Sequence, residues 1–226
     1  MRVLILSDPQ APFHHPDYVA FACRVRDNYK TDKTILIGDE ADFKFLKYAN
    51  INDKDTPEQQ HELTMKFLRR LYTEFPDVDI MESNHVHDRI AYASAQGNMP
   101  KFMVKSPKEL FNPPPGWYWH ESVMVDGVRY EHGHRLSGGK NVCDRAIDRR
   151  HCSVVFGHHA IMDLRFQRSD ETQLFGLCVG ALTVNANDER MGYGMAYSKK
   201  YSSDMPLGLG VVIDGLWPNL VPFYGR

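Results

Sequence analysis

Thr34-Ile35-Leu36-Ile37-Gly38-Asp39-Glu40-Ala41-Asp42 is the stretch on which the fold of this chain turns. The continuous apolar run reads as a strand buried on both faces, the habit of parallel sheets, and Gly38-Asp39 breaks it. The same pattern occurs twice more in the first half. Val3-Leu4-Ile5-Leu6 ends in Ser7-Asp8, and Val78-Asp79-Ile80-Met81 ends at Ser83-Asn84-His85. Helical patterns separate the three runs. Tyr18, Phe21, Ala22, Val25 and Tyr29 recur at helical spacing after Pro16-Asp17. A second helix is expected after Thr56-Pro57, with Thr56 capping, Gln59 closing a capping box, and Leu63, Phe67, Leu71 and Phe75 as its apolar face. Strand, helix, strand, helix, strand is the order of parallel βαβ units.

The second half is richer in strands. Trp117 to Val125 and Val128 to His132 flank Asp126-Gly127, which predicts a hairpin. Ser153-Val154-Val155-Phe156 ends in Gly157-His158-His159, and Leu174–Val184, Gly208–Asp214 and Asn219–Phe223 read as antiparallel strands. Asn112-Pro113-Pro114-Pro115-Gly116 is the expected boundary between the halves, as a rigid connection inside one domain spanning 1–226. The 226 residues are 42% hydrophobic and 25% charged, which argues against disorder, collagen-like repeats and coiled coil. A net charge of -2 gives no support for nucleic acid beyond a local patch. No run of eighteen apolar residues is present, so no membrane helix is expected. Val3–Leu6 is too short for the core of a signal peptide, and four cysteines without framework spacing fit reduced thiols; both point to the cytoplasm.

Eleven histidines are unusual for this length. Five polar clusters follow strand-like runs: Asp8-Pro9-Gln10, Gly38 to Asp42, Ser83-Asn84-His85, His132-Gly133-His134 and Gly157-His158-His159. Taken singly each has an ordinary reading, as a turn cap, a loop aspartate, an Asx turn, a pair of alternating strand residues or a surface pair. Together, beyond the carboxyl ends of strands, they point to one ligand site. Asp, His and Asn suit Mn, Fe, Zn or Mg, and two such ions roughly 3.5–4 Å apart can clamp a phosphate and activate water.

The order Asp-x-(His or Gln), Gly-Asp-x-x-Asp, Asn-His, His, Gly-His resembles the calcineurin-like metallophosphoesterase superfamily, and the later strands resemble its compact phage and bacterial-type members. The resemblance implies a four-layer α/β/β/α sandwich of two mixed sheets flanked by helices, with a dinuclear metal centre at one end. It implies that Asp39 bridges both ions, that Asp8 and Gln10 serve the first, and that Asn84, His132 and His158 complete the second. His85 would protonate the leaving group, and Asp42 would orient a ligand by hydrogen bonding. Arg89 would hold this loop or face the phosphate. His14 follows the first cluster closely, which makes it a candidate to line the pocket or an exposed residue. The implied reaction is hydrolysis of a phosphate ester by a metal-activated hydroxide.

Two departures from the family pattern fall on the first ion: Gln10 where a His is usual, and Ala160 where a second His is usual. A tight second site and a weaker first site are therefore expected, favouring Mn, with Mg, Fe, Ni or Zn as other candidates. His134, His159 and Asp163 are the candidates to fill the gap. The expected partner is a phosphate ester, with a phosphodiester slightly preferred and a nucleotide or nucleic acid among the candidates. The alternatives are a DNA-processing nuclease and a silent binding module with a degraded first site. Trp117-Tyr118-Trp119 is expected in a core rather than stacking on bases, and Arg145, Arg149, Arg150 and His151 on a solvated helix face. Lys199-Lys200-Tyr201 is a candidate substrate clamp.

Overall fold

The structure, a computed structural model, describes residues 1–46, 55–169, 172–183 and 206–224. The candidate clamp at 199–201 lies outside the described residues. In chain order the elements are β1 (Arg2–Leu6), α1 (Tyr18–Tyr29), β2 (Lys33–Leu36), α2 (Pro57–Glu74), β3 (Asp77–Met81), α3 (Arg89–Ala95) and α4 (Pro107–Phe111). There follow β4 (Gly116–His120), β5 (Ser122–Val125), β6 (Val128–Glu131), α5 (Val142–Arg150), β7 (Ser153–Phe156), β8 (Met162–Ser169), β9 (Thr172–Val179), β10 (Gly208–Ile213) and β11 (Trp217–Pro222).

Two sheets result, one in the order β11-β10-β1-β2-β3-β4 and one in the order β5-β6-β7-β9-β8. Both are mixed. Strands β1 to β4 run parallel, while β10 joins β1 antiparallel. Strands β6, β7 and β9 run parallel, with β5 and β8 antiparallel at the edges.

Side-chain alternation along the strands divides the core into layers. Val3 and Ile5 of β1 face the second sheet, packing in one cluster with Val128, Tyr130, Val155 and Leu177. Leu4 and Leu6 face the other way, onto Tyr18, Ala22, Phe67 and Leu71 of α1 and α2. Beyond the second sheet, Val142, Cys143, Ala146 of α5 cover Val154, Phe156 and Cys178. Helix, sheet, sheet, helix is the layering that the motifs imply. Among the described residues, no helix is long and apolar enough to cross a membrane.

Several local expectations hold and others are corrected. Thr56 caps α2 through the expected box, accepting from the Gln59 amide at 3.3 Å while Gln59 Oε1 accepts from the Thr56 amide at 2.8 Å. The buried stripe of α2 is turned toward Gln60, Thr64, Phe67, Leu68 and Leu71, so Leu63 is exposed rather than part of the apolar face. The hairpin across Asp126-Gly127 is confined to β5 and β6. Trp117 belongs instead to β4, which lies parallel to β3 in the other sheet, because the chain crosses between sheets at Glu121. Asn112–Gly116 is thus no boundary between architectural halves: β4 completes the first sheet, and β10 and β11 return to it. Strand β9, expected to be antiparallel, is so only toward β8 and runs parallel to β7.

Candidate metal centre

The five polar clusters follow β1, β2, β3, β6 and β7, so their loops leave the carboxyl ends of both sheets and meet at one rim. Two glycines let them approach. A Cβ on Gly157 would stand 2.4 Å from Asp8 Oδ1, and Gly38, at φ +113, has no room for one beside the His132 ring. Asp39 and His158 both adopt left-handed backbone conformations, which turn their side chains out of the strand direction.

The central group is Asp39, His132 and His158, whose ligand atoms all lie within 4.8 Å of one another. It is the one such group of three among the described residues. Asn84 joins it. His132 Nδ1 donates to the Ile37 carbonyl at 2.9 Å, which directs Nε2 toward Asn84 Oδ1 at 3.0 Å and Asp39 Oδ1 at 3.3 Å. With Nδ1 engaged by Ile37, oxygens of Asn84 and Asp39 facing Nε2 suit a proton or a cation held between them. Asp39 Oδ2 and Asp8 Oδ1 are buried without a hydrogen-bond partner, a costly state that a cation would relieve. The donors fit a divalent ion.

The electrostatics agree. Burial would raise the Asp39 carboxyl, but His132, His85 and His158 outweigh it and hold the group well below the usual range. Burial opposes charge on His132 as well, yet Asp39 and Asp8 push its pKa up to about 9. His158 moves the other way, to about 3, because burial and the positive His132 both disfavour its protonation. Asp8 is raised well above its normal value by burial, with Asp39 adding to the effect. Its Oδ2 accepts from the His158 amide at 2.7 Å, tying β1 to the loop after β7.

His85 lies in a π-helical turn, Asn84–Asp88, which leads into α3. Such turns recur where side chains must be aimed at a site. Its amide donates to Asp39 Oδ1 at 3.3 Å, and its Nδ1 stands 2.9 Å from Asp42 Oδ1 and 3.8 Å from Asp39 Oδ2. Arg89 Nη1 lies 3.2 Å from Asp42 Oδ1 and also donates to the Asp42 carbonyl. These contacts tie the turn that carries His85 and Arg89 to the loop that carries Asp42. Burial would raise Asp42, but His85 and Arg89 keep it ionised below its ordinary value.

The remaining expected residues are more scattered. His134 lies beside the centre, its ring centroid 5.4 Å from that of His132, with Nε2 3.8 Å from Asp88 Oδ2. His159 is 5.0 Å from the His158 ring and edge-on to Phe156. Gln10 contributes its amide, which donates to the Asp39 carbonyl at 2.8 Å. His14 stacks on Phe67 with centroids 4.0 Å apart. Asp163 pairs with Arg165, and Ala160 is exposed. The basic stretch of α5 binds protein: Arg145 donates to the Ser137 and Gly138 carbonyls, Arg149 to the Arg135 carbonyl, and Arg150 to Glu131.

The sequence pattern assigns no role to Glu40. It is fully buried beside Asp39, where Oε1 accepts from the Trp119 indole at 3.1 Å and burial pushes its pKa up to about 7. An acidic residue inside Gly-Asp-Glu-Ala-Asp was the available signal, but its partner is 79 residues away.

No protein-family model matches the chain, and no curated protein matches it. Among solved structures, it is similar to YfcE, a phosphoesterase from E. coli, at 14% identity and TM-score 0.48, covering 94% of this chain and 88% of that one. Vps29 from Cryptosporidium parvum gives 12% and 0.44, with 98% and 96% covered. Pseudomonas putida nuclease MPE gives 10% and 0.41, with 98% and 86% covered.

Proposed function

We propose that the chain is a metal-dependent phosphoesterase of the calcineurin-like type, hydrolysing a phosphate ester with a slight preference for diesters. The observation that carries this reading is the meeting of Asp39, His132 and His158 donors within 4.8 Å, with Asn84 at the same point. Asp39, Asn84, His132 and His158 would hold the tighter ion. Asp8 and the shared Asp39 would hold a weaker one, because Gln10 and Ala160 offer less than the imidazoles usual there. Mn is the favoured ion. When bound, such ions supply Lewis acidity, neutralising phosphoryl oxygens and lowering the pKa of water.

The chain's own residues complete the chemistry. Asp42 takes the Nδ1 side of His85, which leaves Nε2 as the atom to pass a proton to the departing oxygen. Arg89 keeps Asp42 ionised and in place, so that this close contact with His85 persists through turnover. Ordered, buried polar groups of this kind reduce the reorganisation needed in the transition state.

Hydrolysis of p-nitrophenyl phosphate, bis-p-nitrophenyl phosphate and single- and double-stranded DNA, each with Mn, tests the reading. Activity that EDTA and Asp39→Asn abolish is expected, with the diester preferred. His85→Ala is expected to keep the metal and lose about 10²–10⁴ in rate. DNA cleavage that weakens steeply with salt would favour the nuclease alternative. The second reading, a silent binding module, is favoured by Gln10 and Ala160. Saturating Mn that binds without any turnover would establish it and sink the enzyme.

A further inference from the structure

We propose that Glu40 and Trp119 form a positioning pair, in which a buried hydrogen bond from β4 sets the loop that presents Asp39 and Asp42. The inference rests on the reading of Asp39 as a cation ligand. The loop itself is conformationally demanding: Gly38, Asp39 and Phe43 all have positive φ, at 113°, 48° and 45°. Non-glycine residues adopt such angles at a cost, and surrounding contacts must hold them there.

One flank is held by backbone. The Gln10 amide donates to the Asp39 carbonyl at 2.8 Å, Ala11 to the Glu40 carbonyl at 3.3 Å, and Asp42 to the Ala11 carbonyl at 3.0 Å. The other flank has the Glu40 side chain, reaching Trp119 Nε1 at 3.1 Å. Trp119 is fixed in turn by pairing of β4 with β3 and by a near-parallel ring stack. Its ring lies 6.5 Å from Phe111, which lies 5.6 Å from Phe43 at the end of the same loop. Hydrogen bond and stack thus hold the loop at Glu40 and at Phe43. A carboxyl group buried this completely is expensive unless its contact does something that an apolar side chain cannot. Positioning of a ligand loop is that something, comparable to the outer partners that orient metal ligands elsewhere.

The test compares Trp119→Phe, Glu40→Leu and Glu40→Gln in two measurements: amide hydrogen exchange over residues 38–43, and Mn affinity by calorimetry. Trp119→Phe keeps an aromatic ring at that place but loses the donor and the second ring of the indole, Glu40→Leu removes the acceptor with the indole intact, and Glu40→Gln keeps the acceptor. Faster exchange and about 10–100-fold weaker Mn binding are expected for Trp119→Phe and Glu40→Leu. Glu40→Gln is expected to restore both. Wild-type exchange in Trp119→Phe and Glu40→Leu would overturn the proposal, as would a Glu40→Gln protein as impaired as Glu40→Leu. Faster exchange in the first two variants, with no Mn bound by the wild-type protein, would support the pair and sink the metal reading instead.

Discussion

At the scale of the residue, the two histidines of the centre differ in a way that predicts a proton count. Without metal, His132 carries a proton up to about pH 9, held between Asp39 and Asn84, whereas His158 stays neutral down to about 3. An ion taking the place of that proton must displace it. Binding of Mn at the site that includes His132 is therefore expected to release about one proton between pH 7 and 8, with affinity rising as pH rises toward 9. Calorimetric titration in buffers of different ionisation enthalpy measures it. Buffer-independent enthalpies would show that His132 was already neutral, contradicting this account. The candidate ligands were legible in the sequence because each stands shortly after a strand-like run. Their charge states were not, since these depend on which groups face one another: Asp8 and Asp39 differ in their titration although both are buried aspartates after strands.

Elements whose signals are local were the readable ones. The capping box at Thr56 requires only four consecutive residues, and both of its hydrogen bonds are present. Removing the hydroxyl in Thr56→Ala should cost about 0.5–2 kcal/mol of stability. Leu63→Ala on the same helix should cost little, because the side chain is 43% exposed and surface substitutions usually stay within about 0.5 kcal/mol. Urea denaturation of the two variants compares them directly, and a larger loss for Leu63→Ala would mean that the helix packs on its other face. What could not be read was which sheet an element joins. The alternation from Trp117 to Val125 has the same period on either side of Glu121, yet β4 pairs with β3 and β5 with β6. Period alone carries no information about partners. Strand β8 escaped notice for a related reason, since Met162–Ser169 is an edge strand with Arg165 and Arg168 in it.

Across the whole molecule, the centre joins what the core separates. Asp39 and Asn84 hang from strands of the first sheet, while His132 and His158 follow strands of the second. Between the sheets lies an apolar layer containing Val3, Ile5, Ile35, Tyr130 and Leu177, which resists sliding but has no directional bonds of its own. An ion gripped by donors from both sheets acts as a cross-link that exists only in the folded state, because the donors are up to 119 positions apart in the chain. Mn at one hundred times its dissociation constant should then add about 2.7 kcal/mol to the free energy of unfolding. Asp39→Asn removes the charge that both histidines face, so the increment should vanish in that variant, whatever its metal-free stability. Thermal unfolding with and without Mn, followed by far-ultraviolet dichroism, distinguishes the two proteins. Equal stabilisation of both by Mn would place the ion somewhere other than between the sheets.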